Sequence, residues 1–151
     1  MNKILKIYSS ITGKLLAGFD LTLLLIRIVL AYGFYSTAVM KWNNITGVAE
    51  WFGSLCIPMP TLNAYLAAST ESVGVVLLSL GLATRLISIP LIIVMIVAIV
   101  TVHWANGFEA GNNGYEIPLY YLLMLLTLLI KGAGKISLDR IFKKWLMGKS
   151  E

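Results

Sequence analysis

The sequence predicts an all-α membrane protein, a four-helix transmembrane bundle with both termini cytoplasmic, and three observations carry that expectation. Of 151 residues 58% are hydrophobic and only 13% charged, with a mean hydropathy of +0.84, so an aqueous fold could not cover its apolar surface. Four apolar segments, about 21–40, 62–82, 86–102 and 117–130, approach the ~20 residues a helix needs to span a bilayer. They are apolar all round and rich in leucine, with none of the alternation that a strand barrel requires.

The elements follow in order within one membrane domain, 1–151. An amino-terminal tail, 1–16, carries a weak apolar stripe of Ile4, Ile7, Ile11 and Leu15 and is expected to lie on the membrane surface. The first apolar helix contains Arg27 and runs into Lys41-Trp42 without a small-residue cleavage site, which marks it as retained and not as a signal peptide. Residues 43–61 place Trp51 and Phe52 among Gly47, Gly53, Pro58 and Pro60, the pattern of a short interfacial or re-entrant segment that caps the bundle. Between the second and third helices only Ala83-Thr84-Arg85 is available, so these two form a tight antiparallel hairpin. Beyond the fourth helix, residues 137–148 repeat Leu138, Ile141, Phe142, Trp145 and Leu146 at helical spacing beside Lys143, Lys144 and Lys149, which makes an amphipathic tail helix.

Basic residues orient the whole. Lys3, Lys6 and Lys14 precede the first helix, Arg85 lies in the hairpin and six more follow residue 130, whereas Lys41 is alone on the other side. By the positive-inside rule the chain is a multi-pass protein whose termini both face the cytoplasm, with two outer loops, about 41–61 and 103–116. The net charge of +5 therefore gathers on the cytoplasmic face, where it suits anionic lipid headgroups, and no nucleic-acid surface is patterned into it.

Function is sought where charge meets hydrocarbon. Each ionised group there costs roughly 2.5–3.5 kcal/mol unless paired, wetted or used. Arg27, Glu71, His103 and Glu116 are such groups. On the first helix Arg27, Ala31, Phe34, Ala38 and Lys41 share a face, and on the second Ala64, Ala67, Glu71, Gly74 and Gly81 make a stripe of small residues that allows close approach. At 1.5 Å per residue Glu71 lies ~14 Å and Arg27 ~20 Å below the outer ends of their helices, so either can reach mid-membrane, where Arg27 would hold Glu71 ionised or position a headgroup. Glu116 and His103 sit above them, and the loop between carries Trp104, Phe108 and Tyr115 among glycines, the composition of a lined pocket. Two carboxylates, an imidazole and a guanidinium in one enclosure suit proton transfer or a quinone headgroup. Each also has a plainer use: an ion pair fixing helix register, an interfacial histidine, a carboxylate at a helix start. Cys56 is the single cysteine, which excludes dithiol exchange within the chain and any self-contained iron–sulfur cluster; one histidine excludes bis-histidine haem, and no spacing motif assembles a metal site.

The order of motifs resembles the DoxX family of small bacterial inner-membrane proteins from Leu21 to Asp139: Arg27, Lys41, Pro58-Met59-Pro60, Glu71-Ser72-Val73-Gly74, Leu80-Gly81-Leu82-Ala83-Thr84-Arg85, His103 with Gly107-Phe108, Gly114-Tyr115-Glu116, and Gly132-Ala133-Gly134-Lys135-Ile136-Ser137-Leu138-Asp139. Thr37 and Ala38 stand where family members usually carry a glycine before the lysine, and Asn112-Asn113 replaces a more glycine-rich stretch. The resemblance implies a membrane subunit of an oxidoreductase, related to partners of thiosulfate:quinone oxidoreductases and of oxidative-stress complexes. It implies a polar pocket of Arg27, Glu71, His103 and Glu116, with Lys41 and Tyr115 at its mouth. The expectation is a subunit that binds quinone or a similar amphiphile from the outer side through Arg27, Lys41, Trp104 and Tyr115, and relays protons through Glu71, His103 and Glu116. Electrons would come from a soluble redox partner. The competing expectation is a non-catalytic scaffold that recruits soluble redox or maturation enzymes, and self-association is plausible in so short a chain.

Overall fold

The computed structural model describes residues 3–147, with side chains from 18 to 145, and the described residues are mostly helical, without strands. Six α-helices follow one another: α1 (Lys3–Asn43), α2 (Ile45–Ser54), α3 (Pro60–Leu80), α4 (Thr84–Ala98), α5 (Glu116–Lys131) and α6 (Leu138–Met147). Among the described residues two stretches are long and apolar enough to cross a membrane, Gly18–Asn43 and Thr84–Asn106. The helix expected over 21–40 is part of a longer one, for α1 runs unbroken from Lys3 and absorbs the tail over its described residues. No proline interrupts that stretch, and Gly13 and Gly18 weaken it by only about 1 kcal/mol each.

α1 packs chiefly on α3 and α4 chiefly on α5, with α3 against α4 closing the set; the core is Leu23, Leu30 and Phe34 of α1, Leu78 of α3, Leu91 and Met95 of α4, and Leu125 and Leu128 of α5. The small-residue stripe of α3 is spent here: Ala64, Ala68 and Gly74 are buried, and the methyls of Leu91 sit 2.9–3.0 Å from where a side chain on Gly74 would begin.

One end of the molecule is the α3–α4 hairpin. Gly81 closes α3 in the left-handed region (φ 66°), with Leu82 N–H donating to the Leu77 carbonyl, and Ala83 (φ 48°) opens α4. Asp139, at the start of α6, holds this turn from outside. Its carboxylate accepts the Ala83 and Thr84 amides (2.7 and 3.2 Å), the donors a helix start leaves unpaired, and its own amide donates to the Gly81 carbonyl (3.0 Å). The other end carries α2, capped by the Asn44 side chain (3.1 Å to Gly47 N–H), and the irregular run from a π-helical turn, Ile99–His103, through to Tyr115.

A buried lysine–glutamate pair in a candidate ligand cavity

Glu71 sits mid-way along α3 facing α1, only 2% exposed. Its partner is Lys41, whose ammonium donates to both carboxylate oxygens (2.8 and 2.9 Å), and the Thr37 hydroxyl donates a third bond to the same carboxylate (2.9 Å). Thr37 and Lys41 lie one helical turn apart on α1, so both reach Glu71 from one face. Lys41 is near the end of α1, and its four-carbon stem carries the charge back down the helix.

Arg27 is not Glu71's partner, contrary to the expectation. Because α1 and α3 run antiparallel, Thr37 lies level with Glu71, and ten residues down α1 Arg27 lies level with Gly81, at the hairpin end. Buried to 1% exposure, it donates to the carbonyls of Leu78 (3.3 Å) and Ile136, at the carboxyl end of α3 where the helix dipole favours a cation, and feels the attraction of Asp139. Arg27 thus ties α1 to the α3–α4 turn and to the segment before α6.

Above the Lys41–Glu71 pair is a cavity of about 920 Å³ between α1, α2, α3, α4 and α5. Its walls are mostly apolar, among them Phe34, Val48, Phe52, Leu66, Ile93, Val94, Val97 and Ile117, and its polar groups are fewer, among them Lys41, Glu71, Thr37, Thr70, Asn63, Thr101, His103, Asn113 and Tyr121. Apolar walls with a small set of converging polar groups are the usual make-up of a small-molecule site. The Tyr121 ring meets Phe34 edge to face (5.6 Å) and its hydroxyl lies so close over Gly33 that a Cβ there would force the ring to shift.

His103 lines the cavity from the π-helical turn. Its Nδ1–H donates to the Asn113 carbonyl (2.8 Å), which leaves Nε2 as the ring's free acceptor in the neutral state. Glu116, Trp104 and Tyr115 do not line the cavity. Glu116 accepts the Ala110 amide (3.0 Å) and the Tyr120 hydroxyl (2.9 Å), while Trp104 stacks on Tyr115 (5.4 Å) with Phe108 edge-on (5.6 Å). These three shape the loop whose Ala110, Asn113 and Gly114 close the cavity. Of the seven residues the sequence singled out, the structure brings Lys41, Glu71 and His103 to one cavity, sets Arg27 at the opposite end, places Trp104 and Tyr115 in the covering loop and puts Glu116 at the start of α5, bonded to that loop. Thr37, Gly33 and Tyr121 were missed; Thr37 alone left a signal, its one-turn spacing from Lys41.

Residues 22–104 match the DoxX family. The chain belongs to that family. An uncharacterized Haemophilus influenzae protein is 34% identical over 141 residues, covering 88% of this chain and 91% of the relative, and a second from the same organism is 35% identical over 123 residues, 79% and 90% of the two chains. The putative oxidoreductase CatD of Bacillus subtilis is 32% identical over 124 residues, 81% of this chain and 87% of that protein. No solved structure matches. In this DoxX chain the motif order has a physical reading: Arg27, the Gly81 turn and Asp139 form the hairpin-end lock, while Lys41 and Glu71 form the pair beneath the cavity. Membrane association, the family's property, agrees with the two apolar stretches.

Proposed function

We propose that this DoxX protein is a multi-pass protein of the bacterial inner membrane, a four-helix transmembrane bundle of α1, α3, α4 and α5 with both termini cytoplasmic, which binds a quinone or similar amphiphile as subunit of a membrane redox complex. The observation that carries the reading is the apolar cavity resting on a buried, hydrogen-bonded Lys41–Glu71 pair, with His103 in its wall. A ring carbonyl of the ligand takes a hydrogen bond from the Lys41 ammonium, and the ring lies among Phe34, Tyr121 and the aliphatic walls. Reducing a quinone to the quinol takes two electrons and two protons. With one cysteine and one histidine the chain builds no cluster or bis-histidine centre, so the electrons come from a partner protein, while Glu71 and the His103 Nε2 are the groups beside the ligand that exchange protons. A relative named for oxidoreductase activity supports this class.

The test is binding of a decyl-tailed benzoquinone to purified protein. Wild type binds; Glu71→Gln and His103→Ala bind weakly or not at all at unchanged membrane content. Full binding by both variants would defeat the site. A second reading, a non-catalytic scaffold for soluble redox or maturation enzymes, is favoured by one observation: both oxygens of Glu71 are already taken by Lys41 and Thr37, an arrangement that also serves to fix helix register. It requires that changes in the loops or α6 abolish function while charge-neutral cavity variants do not.

A further inference from the structure

The cavity wall is not equally closed on all sides. Phe34, Glu71 and Met95 line it and are 1%, 2% and 9% exposed, so facing the cavity leaves a side chain buried. Leu66 of α3 and Ile93 and Val97 of α4 also line it, yet are 53%, 57% and 41% exposed. These three border both the cavity and the outer surface of the helices, so a slot opens between α3 and α4. Its inner end is shut by Leu91 packed into Gly74. Next to that contact, on its hairpin side, Pro90 removes a donor from the α4 ladder, and the π-helical turn at Ile99 interrupts it again, so the stretch that edges the slot lies between two breaks. The seam between α1 and α5 differs: Tyr121 bridges it against Gly33 and Phe34, and its exposed lining residues, Met40 and Ile117, sit at helix ends. Leu66 lies ~9 Å inside the start of α3, and Ile93 ~15 Å below His103, depths that in a spanning bundle belong to hydrocarbon and not to water.

We propose that the cavity takes its ligand sideways from the bilayer, through the slot edged by Leu66, Ile93 and Val97. The substrate class is thereby narrowed to a membrane-dissolved amphiphile with a polar head and a long apolar tail: the head reaches the Lys41–Glu71 pair and the tail stays in the slot among side chains as apolar as lipid. This rests on the reading of the cavity as a ligand site in a spanning bundle.

The experiment measures uptake rate and final occupancy of two probes, the decyl-tailed benzoquinone and its tail-less parent, by protein in nanodiscs of phosphatidylethanolamine and phosphatidylglycerol. Leu66→Trp and Val97→Trp narrow the slot; Val76→Trp, equally exposed on α3 but away from the cavity, controls for a bulky lipid-facing side chain. Each slot variant should take up the tailed probe on the order of tenfold more slowly than wild type and Val76→Trp, with the tail-less probe less affected. Unchanged uptake in both slot variants, or slowing by Met40→Trp or Ile117→Trp in their place, would overturn the slot while leaving the ligand site standing. Failure of wild type to bind either probe would overturn both. A slot variant that fails to fold is recognised by its circular dichroism, and the other then decides.

Discussion

Replacing Lys41 by methionine removes the one cation beside Glu71 and leaves a carboxylate at 2% exposure with a single hydroxyl donor, Thr37. At the 2.8 Å separation the attraction is ~6 kcal/mol for an effective dielectric of ~20, much of it offset by the cost of taking both ions out of water. Removing one partner forfeits the attraction and keeps the other ion's desolvation, so Lys41→Met should lose about 3–5 kcal/mol. Glu71→Leu should lose less, about 1–2 kcal/mol, because Lys41 is 12% exposed and its stem can lift the ammonium to the end of α1. The double variant Lys41→Met/Glu71→Leu puts an apolar contact in the same space and should fall within about 1 kcal/mol of wild type. Reversible unfolding of the four proteins in mixed micelles, followed by circular dichroism, closes the cycle with a coupling of about 4–7 kcal/mol. A Lys41→Met variant within about 1 kcal/mol of wild type, or a double variant as unstable as Lys41→Met alone, would refute the reasoning.

Other perturbations probe the rest of the structure. Gly81→Ala meets both a left-handed backbone (φ 66°) and the Arg27 guanidinium, and should lose about 3 kcal/mol in the same unfolding assay. Asp139→Ala frees the Ala83 and Thr84 amides, so their hydrogen exchange should quicken at a stability loss of about 1–2 kcal/mol. In Gly33→Ala the new methyl overlaps the Tyr121 ring, an overpacking of about 1–3 kcal/mol that Tyr121→Leu in the same chain should largely relieve. Trp104→Ala removes a stack that lies off the cavity, and decyl-benzoquinone affinity should stay within about twofold of wild type.

Hydropathy alone located the long helices, because a run of leucine, isoleucine and valine has one economical backbone whatever surrounds it: α3, α4 and α5 occupy the second, third and fourth apolar segments. Tryptophan and phenylalanine between glycines and prolines marked the place where α2 forms. The register between helices was not legible in that way. Arg27 and Lys41 share a face of α1, so either satisfies Glu71 by face, and only the level at which α1 docks on α3 decides for Lys41. That level is set by small contacts far apart in sequence, the Arg27 guanidinium over Gly81 and the Thr37 hydroxyl on Glu71. Glu116 misled for a related reason. A carboxylate at a helix start reads as available, but the loop folds back so that the Ala110 amide occupies one oxygen and Tyr120, one turn on, the other. The π-helical turn that carries His103 into the cavity wall left no trace in residue spacing.

The central claim, that an amphiphile rests on the Lys41–Glu71 pair, is met most directly by mass spectrometry of the lipid-soluble molecules that co-purify with the tagged chain from its own membranes. Wild type is compared with the double variant Lys41→Met/Glu71→Leu, checked for fold by circular dichroism, in which the polar pair is gone. The account predicts a quinone-class molecule enriched with wild type and lost from the double variant. Equal retention by both, or companion proteins without any enriched small molecule, would contradict it and leave the buried pair as a bond between helices.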